Sequence, residues 1–356
     1  MGNIISSPSK ERLDELRLDI EKYCSENSIS GVIRVTVGGR IEYTQNIGYA
    51  DFENKIEFDE NSMFSLYSLS KPFCALGLLK LVDKGEVSLD SHPSVYVPEA
   101  AGFDSRVTVR MMLHHVSGLP DFEQETEFAR KYAPGYASRI REHVSALSSC
   151  KNYFEPGTAA LYANVNFILA ALIIENVTGL PYSEYMKREI FEPLGMKNAV
   201  IDNERLQIPA RVKGYDLENG TLTYVGKSDD WLLGAGDIVA TVDDVYRLNV
   251  AIKTGSLISD GLWREVLTPS PHNSMGMGCT ISDWFGKFRI THNGGHIGFR
   301  TIHIQLPDDD FDIIFLSNSG FGSARIDLCR RIHDAFYGGH DVAERKIEMD
   351  KGYAKK

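Results

Sequence analysis

Ser68 and Lys71 stand three residues apart in the stretch Phe64-Ser65-Leu66-Tyr67-Ser68-Leu69-Ser70-Lys71-Pro72-Phe73. If a helix begins near Ser68, that spacing puts both side chains on one face. A hydroxyl at a helix start feels the unpaired backbone N–H groups and the positive end of the dipole. A lysine half-buried beside it is pushed toward its neutral amine and can take a proton. The two residue types together make a nucleophile and its activator. The same pattern also fits an N-capping serine followed by a surface lysine, so the pair needs support from elsewhere in the chain.

Two other stretches supply it. Ala160-Leu161-Tyr162-Ala163-Asn164 carries a phenol and an amide just after the turn Phe154-Glu155-Pro156-Gly157-Thr158. Ile290-Thr291-His292-Asn293-Gly294-Gly295-His296-Ile297-Gly298-Phe299 is glycine-rich, and small residues there let a substrate approach the backbone closely. Asn164 also stands where it would cap a helix over 166–177. His114 and His115 precede a Ser-Gly turn and read as structural. His292 and His296 are four apart, but in a β context that spacing makes no helical metal pair. No His-Glu-x-x-His and no Gly-x-Ser-x-Gly occurs, which argues against a zinc hydrolase and an α/β-hydrolase elbow. Gly234-x-Gly236 lacks the third glycine and the preceding strand of a dinucleotide site.

The elements that must position these residues follow from periodicity. Residues 9–27 read as an amphipathic helix. Val32–Val37, the Gly38-Gly39 turn and Ile41–Thr44 read as a hairpin. The central helix starts near Ser68 and stops in Asp83-Lys84-Gly85. From about 86 to 265 the pattern is mostly helical with loops, including helices over 166–177, 183–191 and 242–252, the last capped at Thr241. Residues 123–150 show no clean period and read as loop and short helices. Met277–Ile281, Phe288–His292, Thr301–Leu306 and Asp312–Ser317 read as short strands, and Phe321–Tyr337 as an amphipathic helix. Strands at both ends of the chain can pair in one sheet. The expected architecture is therefore α/β (α+β): an antiparallel sheet flanked by terminal helices, with a large helical insertion. The boundaries are 9–85 and 266–340 for a composite sheet domain, 86–265 for the helical lobe, and flexible ends at 1–8 and 341–356. A cleft between the lobes is the natural place for a site.

The three motif stretches, in this order, resemble those of the serine β-lactamase and penicillin-binding protein superfamily, on its class C-like and D-alanyl-peptidase or esterase side. The resemblance runs over about residues 15–337. Val107–Pro120, Phe154–Asn164, Pro193-Leu194-Gly195-Met196 and Gly234-Ala235-Gly236-Asp237 are each similar to a family segment. It implies that Ser68 is the nucleophile that forms an acyl-enzyme, with Lys71 as adjacent base or electrostatic partner. Tyr162 would shuttle the proton to the leaving group, and Asn164 would contact Lys71 or substrate. The backbone N–H groups of Ser68 and Gly295 would form the oxyanion hole. His292, Asn293, Gly294 and Gly295 would line the substrate strand. A phenol with an ordinary pKa of about 10 needs nearby cations to act as a base, and Lys71 and His292 are the two expected. Family β-lactamases usually carry Lys-Thr-Gly or Lys-Ser-Gly where this chain has His292-Asn293-Gly294, and a histidine is only partly cationic near neutral pH. That difference favours an esterase or a peptidase for D-residue substrates over a β-lactamase. Acyl transfer on the same site and a non-catalytic scaffold are the rival readings.

Composition bounds the partners. The 356 residues are 43% hydrophobic and 24% charged, with a net charge of −11. An acidic surface argues against nucleic acid and anionic membranes and says little about a small substrate; the small-molecule or peptide substrate is what the family resemblance implies. No cofactor or metal is implied. The five cysteines have neither metal-ligand nor redox spacing and read as reduced and mostly buried. The longest apolar run, Phe167–Ile174, is too short to span a bilayer. With no secretory signal pattern the expected location is cytoplasmic, and Met1-Gly2-Asn3-Ile4-Ile5-Ser6 matches a myristoylation pattern.

Overall fold

The computed structural model describes residues 5, 7–122, 139–203, 206–226, 232–320 and 324–338. Most of the two expected flexible ends, with Gly2, lies outside these residues, as do 123–138 of the segment expected to be irregular.

Strands at the two chain ends form one antiparallel sheet. β1 (Gly31–Val37) and β2 (Arg40–Ile47) make the expected hairpin; β8 (Thr280–Trp284), β9 (Lys287–His296), β10 (Phe299–Leu306) and β11 (Phe311–Ser317) follow near the other end. The strand order is β2-β1-β11-β10-β9-β8, with β1 paired to β11 so that Val35 faces Ile313. Two-residue periodicity sorts the side chains by face. Ile33, Val35, Ile302, Ile304, Ile313 and Phe315 pack under α1 (Lys10–Glu26) and α9 (Ala324–Tyr337), against Leu16, Ile20, Cys24, Leu328, Ile332 and Phe336. Val32, Ile290, Ile314 and Leu316 turn the other way, into the core shared with the helical lobe.

That second core is built on α2 (Lys71–Asp83) and α5 (Val165–Thr178), between which fall α3 (Val109–Leu113) and α4 (Ile140–Leu147). Every residue of α5 from Val165 to Ile174 is buried, as expected of a helix that is apolar all round. Each large aliphatic or aromatic side chain on it contributes about 1.5–3 kcal/mol by leaving water. Gly179, in the left-handed conformation, ends it. Beyond lie α6 (Tyr182–Met186), which runs into a π-helical turn over Lys187–Phe191, then α7 (Val242–Thr254) and α8 (Asp260–Val266). Thr241 caps α7 as expected, and Asp244 returns the bond to the Thr241 backbone.

The 139–150 stretch, expected as loop and short helices, agrees: it contains the two-turn α4. Several boundaries differ from the sequence expectation. The lobe expected to be mostly helical also contributes β7 (Ile238–Ala240) and β4 (Val200–Ile201), which join β3 (Phe64–Ser65) in a small sheet, β3-β7-β4, and a hairpin of β5 (Tyr215–Glu218) and β6 (Thr221–Tyr224). Asn219 and Gly220 both have positive φ in that hairpin turn, which is the Asn-Gly preference of a two-residue loop. β9 runs on through Gly294 and Gly295 instead of stopping at His292. Among the described residues no single helix is long and apolar enough to cross a membrane. Cys24, Cys74, Cys279 and Cys329 are buried free thiols, and Cys150 is half-buried.

Candidate active site

Ser68 does not open the α-helix; it sits in a 3-10 turn, Tyr67–Ser70, immediately before α2. Pro72 explains the shift, because it has no N–H to offer the Ser68 carbonyl, so the α-helical ladder cannot start there. The carbonyl is taken instead by the Lys71 N–H. Tyr67, just before Ser68, has φ +48°, in the left-handed region that costs a bulky residue energy. Ring contacts with His296 and Phe299 hold it there, with centroids 5.2 and 5.9 Å away. The turn is pinned on both sides. Leu66 N–H donates to Ile238 O (2.8 Å) and Ile238 N–H to Ser70 Oγ (3.0 Å), while Thr301 Oγ1 donates to Leu66 O (2.9 Å). A side chain at position 294 would put its Cβ 1.9 Å from Leu66 O, so only glycine lets β9 approach the Ser68 turn.

Lys71 is completely buried. Its Nζ donates to Ser68 Oγ (3.1 Å), Asn164 Oδ1 (2.8 Å) and Ala235 O (2.7 Å). Three acceptors match the three protons of an ammonium, and charge-assisted bonds of this kind offset the cost of removing the charge from water. The same Nζ lies 4.8 Å from the centre of the Tyr162 ring and 5.7 Å from that of Phe167. Ser68, Lys71, Tyr162 and Asn164, far apart in the chain, thus converge.

Asn164 stands at the start of α5, but its side chain does not cap the helix as the sequence suggested. It is turned onto Lys71. Capping passes to Asp121, whose buried carboxylate accepts from Asn164 N–H (2.8 Å) and Val165 N–H (3.0 Å). An anion at a helix N-terminus also meets the positive end of the dipole. Tyr162 is partly exposed and stacks on His115. His115 itself adopts φ +56° and is buried. Its ring Nδ1 accepts from Ala163 N–H (3.1 Å), so Nε2 carries the proton of the neutral ring. Burial holds His115 well below its ordinary pKa, with Lys71 and His292 adding to the effect. His115 is structural, as the sequence suggested: it is buried, holds the backbone on both sides of Tyr162 and packs against that ring.

His292 lies on β9 facing the site, but it is no cation. Burial drives its pKa down to about 3, and the nearby Lys71 pushes the same way. Its Nδ1 bonds the Asn293 carbonyl at 2.8 Å, and a carbonyl only accepts, so the proton is on Nδ1. The expectation of two cations beside Tyr162 is corrected to one, Lys71. The strand nevertheless has a cation at its other side. Arg325 of α9 donates from Nη2 to Asn293 Oδ1 (3.0 Å) and from Nη1 to Gly294 O (3.5 Å). A Cβ on Gly295 would stand 3.3 Å from that guanidinium. Among the described residues, no group of three or more His, Cys, Asp or Glu side chains is placed to hold a metal.

The β-lactamase family model matches residues 17–335. The chain belongs to the β-lactamase family. This member is 29% identical, over 92% of its length and 76% of the relative's, to penicillin-binding protein 4* of Bacillus subtilis (strain 168). It is 25% identical to a D-aminopeptidase of Gluconobacter oxydans (strain 621H), over 81% of this chain but only 55% of that protein. Its fold superposes on the crystal structure of a penicillin-binding protein from Bacillus halodurans with a TM-score of 0.79 at 24% identity, over 89% of this chain and 99% of that one. The mixed α/β architecture with an antiparallel sheet is that of this family.

Proposed function

We propose that this protein is a serine hydrolase that forms an acyl-enzyme on Ser68 and acts on an ester or amide, of the D-amino-acid amidase or peptidase type. The observation that carries the reading is the Lys71 ammonium bonded at once to Ser68 Oγ, Asn164 and Ala235 O, with Tyr162 against it. A lysine whose protons are all engaged is an electrostatic partner. The base is then Tyr162, whose phenolate the ammonium stabilises. Tyr162 takes the Ser68 proton as Oγ attacks the carbonyl and returns it to the leaving group; water then enters by the reverse path. The N–H groups of Ser68 and Gly295 receive the oxyanion, an arrangement supported by the close packing of β9 on the nucleophile's turn. Asn164 holds Lys71, and His292 with the Asn293–Gly295 backbone lines the acyl side. A neutral His292 offers no cation to a penicillin-type carboxylate, which favours amide and ester substrates over β-lactams. Similarity to a D-aminopeptidase points to the D series.

The test is intact-protein mass after exposure to a fluorophosphonate and, separately, to a penicillin, with turnover of D- and L-phenylalanine amides. The expected result is a fluorophosphonate adduct on wild type that is absent in Ser68→Ala, no stable penicillin adduct, and a preference for the D amide. Absence of any Ser68-dependent adduct or turnover rejects the reading.

A further inference from the structure

We infer that Asp237 is a positioning residue for Lys71, tying the turn that presents the Ala235 carbonyl to Nζ and placing a negative charge behind the ammonium. This rests on the serine-hydrolase reading above. Asp237 Oδ2 accepts from Gly234 N–H (2.8 Å), closing a turn over 234–237. Within it, Ala235 and Gly236 N–H both donate to Leu232 O (2.7 and 2.8 Å), leaving Ala235 O to receive Lys71 at 2.7 Å. Gly234 has φ +68°, and a Cβ there would meet Phe167 O at 2.6 Å and Cys74 Sγ at 2.9 Å, so the turn is wedged against α5 and α2.

Asp237 is kept at a cost. Its Oδ1 is buried with no hydrogen-bond partner among the described residues, an arrangement stability alone does not select. Asp237, with Tyr67 and Gly236, lines a cavity of about 200 Å³. Burial pushes its pKa up to about 7, against the Gly234 N–H bond; Asp202 raises it further and Lys71 opposes the rise. The other titratable groups coupled to this environment are Cys74 of α2 and Tyr182 of α6, both neutral, while Asp202 is ion-paired to Arg211. Attraction between Lys71 and Asp237 is mutual, so the ionised carboxylate keeps Lys71 an ammonium, the form on which the proposed Tyr162 base depends.

The experiment compares wild type, Asp237→Asn and Asp237→Glu in kcat and KM against pH and in thermal unfolding at the same pH values. Wild type is expected to gain kcat/KM through an inflection near pH 7. Asp237→Asn should lose that inflection and sit about tenfold lower at pH 8.5, with KM little changed. Asp237→Glu should keep it. Because the folded pKa lies above the ordinary carboxylate value, wild type loses stability as pH rises from about 4 to 7, so Asp237→Asn should melt higher than wild type at pH 8.5 and equally near pH 4. An amide variant that melts lower at pH 8.5, or that keeps the inflection, overturns the inference. The wild-type rate of Ser68 labelling by fluorophosphonate should carry the same inflection, and a flat rate also overturns it. No labelling at any pH instead rejects the serine-hydrolase reading, and the melting comparison then decides the placement of Asp237 by itself.

Discussion

His115 grips Tyr162 from three sides: the two rings lie 4.4 Å apart and 22° from parallel, the His115 carbonyl accepts Leu161 N–H at 3.0 Å, and its Nδ1 accepts Ala163 N–H. The phenol's backbone is thereby held on either side of it. His115→Ala is expected to lower kcat by about 10- to 100-fold, as a small misplacement of a catalytic group does, with KM within a few-fold. His115→Phe keeps the stack and loses the acceptor, so its kcat should fall in between. Steady-state kinetics on one chromogenic ester checks both.

Asp121 holds the N-terminus of α5 and hence the approach of Asn164 to Lys71. Asp121→Ala leaves two buried N–H donors unmet and should destabilise the protein by about 2 kcal/mol or more, with Asp121→Asn costing less. Denaturant unfolding measures the loss. An unchanged midpoint for the alanine variant would mean that other groups satisfy the helix.

His292 is neutral in the fold at a pH where an unfolded chain protonates it. Its folded pKa of about 3 lies below the ordinary 6.5, so the unfolded state binds more protons between these values and stability falls as pH drops through that window. His292→Gln should remove part of that acid sensitivity. Melting temperature followed from pH 7 downward is the readout, and parallel curves for the two proteins would contradict the assigned charge state.

Arg325 places a guanidinium against the strand that lines the site. For substrates ending in a free carboxylate, Arg325→Ala is expected to raise KM about tenfold, the size of a lost charge-assisted bond. The corresponding amide-capped substrates should be affected little. Equal effects on both would assign the residue to holding Asn293 alone.

Local chemistry explains which parts of this protein could be read in advance. The β1–β2 hairpin, the Thr241 cap and the buried α5 each rest on a signal within a short window, and each formed as its residues suggest. Ser68, Lys71, Tyr162 and Asn164 were visible as residue types in order. Their convergence needed the fold. What escaped depends on contacts between distant segments. His115 looked like the shoulder of a Ser-Gly turn, and only Ala163 reveals its role. Arg325 lies on a terminal helix that carries no motif. Asp121 and Asp237 look like ordinary loop carboxylates until the backbone N–H groups they meet are known. The β5–β6 hairpin is signalled locally by Asn219-Gly220, but the residues around it read as helical.

The pairing of β1 with β11 has a consequence for how the chain is made. During synthesis the β1–β2 hairpin emerges with an edge unpaired, long before its partner β11. An open edge of that kind invites pairing with other chains until β11 arrives. Closing the sheet then joins segments separated by most of the sequence, a slow step for any chain. The Ser68 turn meets β9 only when that strand has been delivered, so the candidate site cannot assemble before β9 is made.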